Sequence, residues 1–199
     1  TGTTNYEDRG ALYAAECAEG VKEAVDIPIE AQFEPPEDLS VLERVSEAGV
    51  DSLGLHLECF DQEVREEIIP GKANIPVSRY FEAFEKAVDV FGENQVSSYV
   101  IVGLGDDPQT IIDGCERLID AGVYPFVVPF RPVVNTEMED VPPPDSQLMW
   151  RINAEVQQML AESSLDRTEA KAGCAKCGAC SGIPGLENSD SQHQDAMPL

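Results

Sequence analysis

Four short segments rich in β-forming residues recur along this chain. Each is separated from the next by a stretch with helical period, and that alternation limits the folds open to it. The segments are "IPIEAQFE" (27–34), "DSLGLHLE" (51–58), "QVSSYVIVG" (95–103) and "VYPFVVPFR" (123–131). Between them, "EDLSVLERVSEAG" sets Leu39, Leu42, Val45 and Ala48 at three-residue steps, and "VSRYFEAFEKAVDVFG" gathers Tyr80, Phe84, Ala87, Val88 and Phe91 on one helical face. "DDPQTIIDGCERLIDAG" carries its own punctuation, with Asp107 as N-cap, Pro108 at the first helical position and Gly122 just past the end. The opening "NYEDRGALYAAECAEGVKEA" reads as helix, as does a stretch over 145–162. The order α-β-α-β-α-α-β-α-β-α predicts an α/β fold with a parallel sheet and right-handed crossovers.

Two of the strands alternate in a way that parallel strands rarely do. Ile29, Ala31 and Phe33 interleave with Glu30, Gln32 and Glu34; Leu53, Leu55 and Leu57 interleave with Gly54, His56 and Glu58. Alternate side chains share a face, so one face is apolar and the other polar. Strands of a parallel sheet are normally buried and apolar on both faces. The polar face is therefore expected to line a cavity inside a barrel or partial barrel; strands at an exposed edge would be the simpler arrangement. A domain that opens on a helix and holds four strands is expected to lack an N-terminal part.

Charge narrows the class of partner. The 199 residues carry 38 acids against 13 Lys and Arg, a net charge of −25, with the acids spread along the whole chain. A dispersed acidic surface keeps a protein soluble and self-repelling, as in salt-adapted proteins, and a halophilic, cytoplasmic protein is expected. Phosphate contacts need Lys and Arg clusters that this chain does not have, which argues against nucleic acid. No apolar run approaches the ~20 residues of a membrane span, and no basic start followed by an apolar stretch reads as a signal peptide.

Three motifs carry chemistry. "VIVGLGDDPQT" (100–110) ends a strand in Gly-Leu-Gly and opens a helix. Pro108 stands where a dinucleotide fingerprint needs a third glycine, and Asp106 and Asp107 repel phosphate. A neutral or cationic ligand with a flat ring suits the turn, as does a tight connection with no ligand. His56 and Glu58 lie on the polar face near a strand's C-terminal end, where ligands of such folds bind; a capping or salt-bridged Glu58 is the plainer role. Arg131 ends the last strand and suits either a ligand carboxylate or neutralisation of Glu30 or Glu58.

The third motif is "KAGCAKCGACSG", which places Cys174, Cys177 and Cys180 at C-x2-C-x2-C spacing among small residues. Iron–sulfur clusters take such runs of thiolates; zinc prefers four ligands, commonly in two pairs, and a metal-free turn is the third option. Cys17, Cys59, Cys115, a partner chain or a substrate would supply a fourth ligand. The expected organisation is a partial barrel over 1–162, a cysteine-rich loop over 163–185 and a disordered tail over 186–199.

Taken together, "GLHLECFDQEVREEIIPGKA", "QVSSYVIVGLGDDPQTIIDGCERLIDAGVYPFVVPFRPV" and "KAGCAKCGACSG" resemble the radical S-adenosylmethionine (radical SAM) superfamily over roughly residues 1–185, with greatest likeness to a biotin-synthase-like subfamily encoded beside a nitrilase. The resemblance implies the C-terminal part of a partial (β/α)6 barrel, its four strands being the third to sixth. It implies S-adenosyl-L-methionine as cofactor, one-electron reductive cleavage of it, and radical chemistry on a small-molecule substrate. Glu58 matches the position that touches the ribose and methionine part of the cofactor. Val102, Gly103 and Leu104 match the adenine-packing element, although Asp106 stands in its usual glutamate region. The "VVPFR" strand with Arg131 matches the sixth, and Gly2 and Thr3 match the tail of the methionine-binding motif. The family's C-x3-C-x2-C loop, which holds the cofactor-cleaving cluster, is absent from this sequence. Cys174, Cys177 and Cys180 resemble an auxiliary [4Fe–4S] site instead. An electron donor such as ferredoxin or flavodoxin, and a separately encoded N-terminal part, follow as partners; no catalytic residue is assigned. The other functions considered are an iron–sulfur or zinc-binding partner module without catalysis of its own, and a barrel hydrolase using Glu30, Glu34 and Glu58.

Overall fold

A computed structural model describes residues 5–187. Gly2, Thr3 and most of the expected tail lie outside the described residues.

The helical stretches fold as their patterns require. Ala11–Ala24 forms α1, Val41–Glu47 α2, Val77–Phe91 α5, Pro108–Asp120 α6 and Ser146–Glu162 α7. Helix α5 buries Tyr80, Ala83, Phe84, Ala87 and Phe91, and Gly92 at φ 88° ends it. At α6 the Asp107 side chain accepts from the Gln109 N–H (2.8 Å), which satisfies one of the donors a helix start leaves open. Between the second and third strands there are three helical pieces where two were expected, because Pro70 starts a new turn: α3 (Gln62–Ile68) and α4 (Pro70–Ala73) precede α5.

The strands are shorter than the four apolar segments. The regular ladders span Glu30–Gln32 (β1), Ser52–Gly54 (β2), Val96–Val102 (β3) and Tyr124–Pro129 (β4), with single backbone bonds beyond them, such as Leu55 N–H to Ser97 O (3.1 Å). All neighbours are parallel, and the order is β1-β2-β3-β4. A doubly wound sheet reverses its strand order at a switch point. Strictly sequential order is what successive βα units of a barrel produce, so the sheet is an arc of a barrel wall.

The outer face of the arc meets the helices. Leu53, Leu55 and Leu57 are fully buried, as are Val102 and Val127, while Val96 and Val100 are nearly so. Burying each such side chain contributes roughly 1.5–3 kcal/mol. The inner face carries Glu30, Gln32, His56 and Tyr99, with Phe126 packed 4.9 Å from the Tyr99 ring.

Residues 163–187 do not form an open loop. A 3-10 turn (Arg167–Glu169), α8 (Gly173–Cys177) and α9 (Ile183–Glu187) run back beneath the sheet, and Leu165, Ala170, Ala175 and Ile183 join the same core. Among the described residues no helix is long and apolar enough to cross a membrane.

Candidate functional site at the strand ends

The inner face divides into two layers. The upper one stands at the C-terminal ends of the strands. Past β2 the chain stays extended, and Glu58 bridges to Val100 of β3. Its N–H donates to Tyr99 O (2.9 Å) and its carbonyl accepts from Ile101 N–H (2.8 Å). Glu58 does this at φ 73°, in the left-handed region. That costs of order 1–3 kcal/mol for a residue other than glycine, and such strain gathers at functional positions. Its carboxylate takes a 2.6 Å bond from Lys72 Nζ, so the cation at Glu58 is Lys72 and not Arg131.

Arg65 sets this geometry. It is fully buried, and its guanidinium donates to Leu57 O (2.6 Å), Cys59 O (3.2 Å), Lys72 O (3.1 Å) and Ile75 O (3.2 Å). One planar fork thus ties the end of β2 to the turn that carries Lys72. Asp106 makes a second tie: it accepts from the Phe60 N–H (2.7 Å) and Asp61 N–H (3.0 Å), joining the β3–α6 turn to the β2–α3 turn. Burial pushes its carboxyl up from the ordinary value.

His56 lies across Gly54, where a Cβ would meet its ring at 2.7 Å. Its Nδ1 accepts from the Tyr99 N–H (3.2 Å), and its ring stands edge-on to Tyr99 at 4.6 Å. Burial first, and Lys72 second, lower its pKa to about 4, so it is neutral at pH 7. With Nδ1 accepting, Nε2 carries the proton, and that atom is buried without a partner among the described residues. Gln32, Phe33, Glu34, His56 and Lys72 line a cleft of about 200 Å³.

The lower layer is a floor. Ser52 Oγ donates to Gln95 Oε1 (2.9 Å) and accepts from the Ala172 N–H (3.2 Å). Gln95 Oε1 also accepts from the Lys171 N–H (2.9 Å), and its Nε2 donates to Glu169 O (3.1 Å). Glu30 accepts from Gln32 Nε2 (2.6 Å) and from the Cys174 N–H, while burial raises its carboxyl. A side chain on Gly173 would run into the Glu30 carboxylate, so this position, at φ 91°, has to be glycine. Polar residues expected to line a cavity are therefore partly occupied by the chain's own cysteine turn.

The sequence-based candidates fall into separate places. Glu58 and the Val102–Leu104 stretch are neighbours at the strand ends. Val102 and Leu104 are buried, and the space over Gly103 is closed by Pro144 and Phe130, which a Cβ would meet at 3.0 and 3.2 Å. Arg131 is exposed beyond β4. Gly2 and Thr3 lie outside the described residues. Glu34 pairs with Arg9 at 3.3 Å, so Glu30, Glu34 and Glu58 each have a different partner.

The cysteine turn lies at the opposite end of the sheet from Glu58. Cys174 is half-buried and faces the barrel; Cys177 and Cys180 are exposed. The donor set fits an iron–sulfur cluster in kind, with three thiols in seven residues, Cys174 and Cys177 one turn apart on α8, and Gly178 in the left-handed conformation. Among the described residues no three His, Cys, Asp or Glu side chains are gathered as a metal would hold them. Burial pushes Cys59 up to about 12 and Cys115 higher still, which keeps both as thiols.

Lys72, Arg65, Gln95 and Tyr99 escaped the sequence reading. Arg65 alone left a signal: it stands three and four residues before Ile68 and Ile69, on what becomes the buried side of α3.

An arc of parallel βα units with its open cleft at the strand ends defines a barrel-type fold class. No protein-family model matches the chain. It is 31% identical over 132 residues to bacteriochlorophyllide c C-7(1)-hydroxylase of Chlorobaculum limnaeum, covering 65% of this chain and 32% of that protein. Among solved structures it resembles coproporphyrinogen III oxidase (HemN) from Escherichia coli, a radical SAM enzyme. That match has a TM-score of 0.54 and 16% identity, and covers 76% of this chain and 37% of the oxidase. The chain spans about a third of the length of the curated relative it matches. At 16% identity, the structural likeness establishes the fold alone.

Proposed function

We propose that this chain is part of a radical SAM enzyme of the biotin-synthase-like kind. The cofactor would lie over the upper layer, near Glu58 and the end of β3. When bound, S-adenosylmethionine would supply one-electron chemistry to a small-molecule substrate, with electrons from a ferredoxin- or flavodoxin-type donor. Glu58 would accept hydrogen bonds from the ribose or methionine part, Lys72 would hold that carboxylate in place, and neutral His56 would offer its Nε2–H into the cleft. The backbone of Val102–Leu104 would meet the adenine, and Arg131 would stand at the rim. Cys174, Cys177 and Cys180 would hold an auxiliary [4Fe–4S] cluster.

The observation that carries the reading is Glu58: a carboxylate held at φ 73° at a strand's C-terminal end, beside a cleft, in a fold shared with a radical SAM oxidase. The flank of α1 and β1 supports a larger assembly, because Leu12, Tyr13, Val21 and Ile27 are exposed there. The test is calorimetric titration of the full-length protein with S-adenosylmethionine. Glu58→Gln keeps the shape and removes the charge, and should weaken binding tenfold or more, ~1.4 kcal/mol, with the unfolding midpoint retained. Unchanged binding would make Glu58–Lys72 a structural ion pair only.

A further inference from the structure

The floor is built around one sulfur. Tyr99 Oη donates to Cys174 Sγ at 3.2 Å, and Gln32 Nε2 points at the same atom from 3.9 Å. The Glu30 carboxylate accepts from the Cys174 N–H, and Gly173 leaves the room that carboxylate needs. Ser52 and Gln95 hold the two residues before Gly173 by their backbone N–H groups. Residues from three strands therefore converge on a turn whose other two cysteines face solvent. Packing alone requires no donor at the sulfur: the Tyr99 ring is already fixed by Phe126 and His56.

We propose that Tyr99, assisted by Gln32, is a positioning residue for the metal centre of the cysteine turn, holding Cys174 Sγ as its inward-facing ligand and donating a hydrogen bond to that sulfur. The proposal rests on the reading that Cys174, Cys177 and Cys180 bind an iron–sulfur cluster. It adds that the centre faces the barrel interior and that the barrel wall tunes it. A donor to a ligand sulfur favours the more negative, reduced state, so it raises the reduction potential. The His56 ring, edge-on to Tyr99, places the cleft on the other side of the same tyrosine.

The test uses the full chain, reconstituted anaerobically with iron and sulfide. Four proteins are compared: the parent, Tyr99→Phe, Tyr124→Phe and the triple Cys174→Ala, Cys177→Ala, Cys180→Ala variant. Iron and acid-labile sulfide are counted, and the midpoint potential of the signal lost in the triple variant is read by titration under electron paramagnetic resonance. Tyr99→Phe keeps both rings in contact. It should bind as much iron as the parent and shift the midpoint to lower potential. Tyr124→Phe removes a buried hydroxyl that has no partner among the described residues, and should leave the midpoint in place. If iron binds through the three cysteines and Tyr99→Phe leaves the potential unchanged, the tuning role is wrong and the cluster stands. An equal shift in Tyr124→Phe reduces the effect to general packing and overturns the assignment. No iron uptake by the parent, or zinc alone, overturns both the cluster and the role of Tyr99.

Discussion

The two layers of the barrel's inner face use polar residues in opposite ways. At the strand ends, organisation is concentrated: one buried guanidinium, Arg65, takes four carbonyls from two segments, and Glu58 and Lys72 meet because of it. On the floor it is spread over Glu30, Gln32, Ser52, Gln95 and Tyr99, each making one or two bonds to a returning segment that lies 120 residues away in the case of Ser52. The upper layer leaves groups without partners, notably His56 Nε2 above an open cleft. The floor satisfies its polar groups with the chain's own backbone. The difference separates a surface left open to a cleft from one already occupied, although both arise from the same alternation of polar and apolar residues.

Concentration makes the upper layer fragile. Arg65→Met should cost about 3–5 kcal/mol in denaturant unfolding, because it strands buried carbonyls of Leu57, Cys59, Lys72 and Ile75. Arg65→Lys should recover little of this, since an ammonium lacks the planar fork that reaches both segments. A loss below ~1 kcal/mol for Arg65→Met would show that the upper layer holds together by other means and would erase the contrast.

The next effect reads the unsatisfied character of the cleft through pH. His56 has a folded pKa of about 4 against an ordinary 6.5, so as pH falls the unfolded chain takes up the proton first. The folded state is therefore penalised progressively from about 6.5 down to about 4, by up to roughly 3 kcal/mol. Glu30 and Asp106, whose carboxyls are raised, act in the opposite direction, so the measurement is a difference. His56→Asn keeps an acceptor for the Tyr99 N–H and removes the titration. Its unfolding free energy relative to the parent should improve steadily as pH is lowered through that window. Parallel stability curves would mean that His56 is wetter than its surroundings imply.

Sequence alone carried the arc and its orientation, and the reasons are visible in particular residues. Asp107, Pro108 and Gly122 bracket α6 by local chemistry that needs no tertiary context. Leu53, Leu55 and Leu57 alternate strictly, so their face was fixed by period. What period cannot carry is partner choice. Glu58 was legible as a strand-end carboxylate, but its cation, Lys72, sits on a four-residue helix whose place is set by Arg65. The partner that Glu30 and Gln32 meet, the cysteine turn, was out of reach for the same reason. Alternation shows that a face is polar, not whether a ligand or a returning segment 142 residues downstream will satisfy it. The regular ladders are shorter than the apolar segments because residues beyond them, such as His56 and Leu57, carry the same alternation as those within.

The smallest effect belongs to the floor, where the load is shared. Gln95 is its most connected side chain: it accepts from Ser52 Oγ and the Lys171 N–H, and donates to Glu93 O and Glu169 O. Gln95→Leu is close in size and removes all four bonds. Ser52 Oγ would still take the Ala172 N–H, and Glu30 would still take that of Cys174. Because neighbouring anchors remain, the global cost should be about 1–2 kcal/mol, at the lower end of what a lost buried hydrogen-bond hub costs. The change should instead be local. Amide exchange over residues 169–174 should accelerate well beyond what the global loss explains, since sub-global opening reports the stability of the unit that opens. Exchange at Arg65 and Lys72 should not move. If protection falls equally in both layers, the two act as one cooperative unit and the contrast between an open surface and an occupied one does not hold.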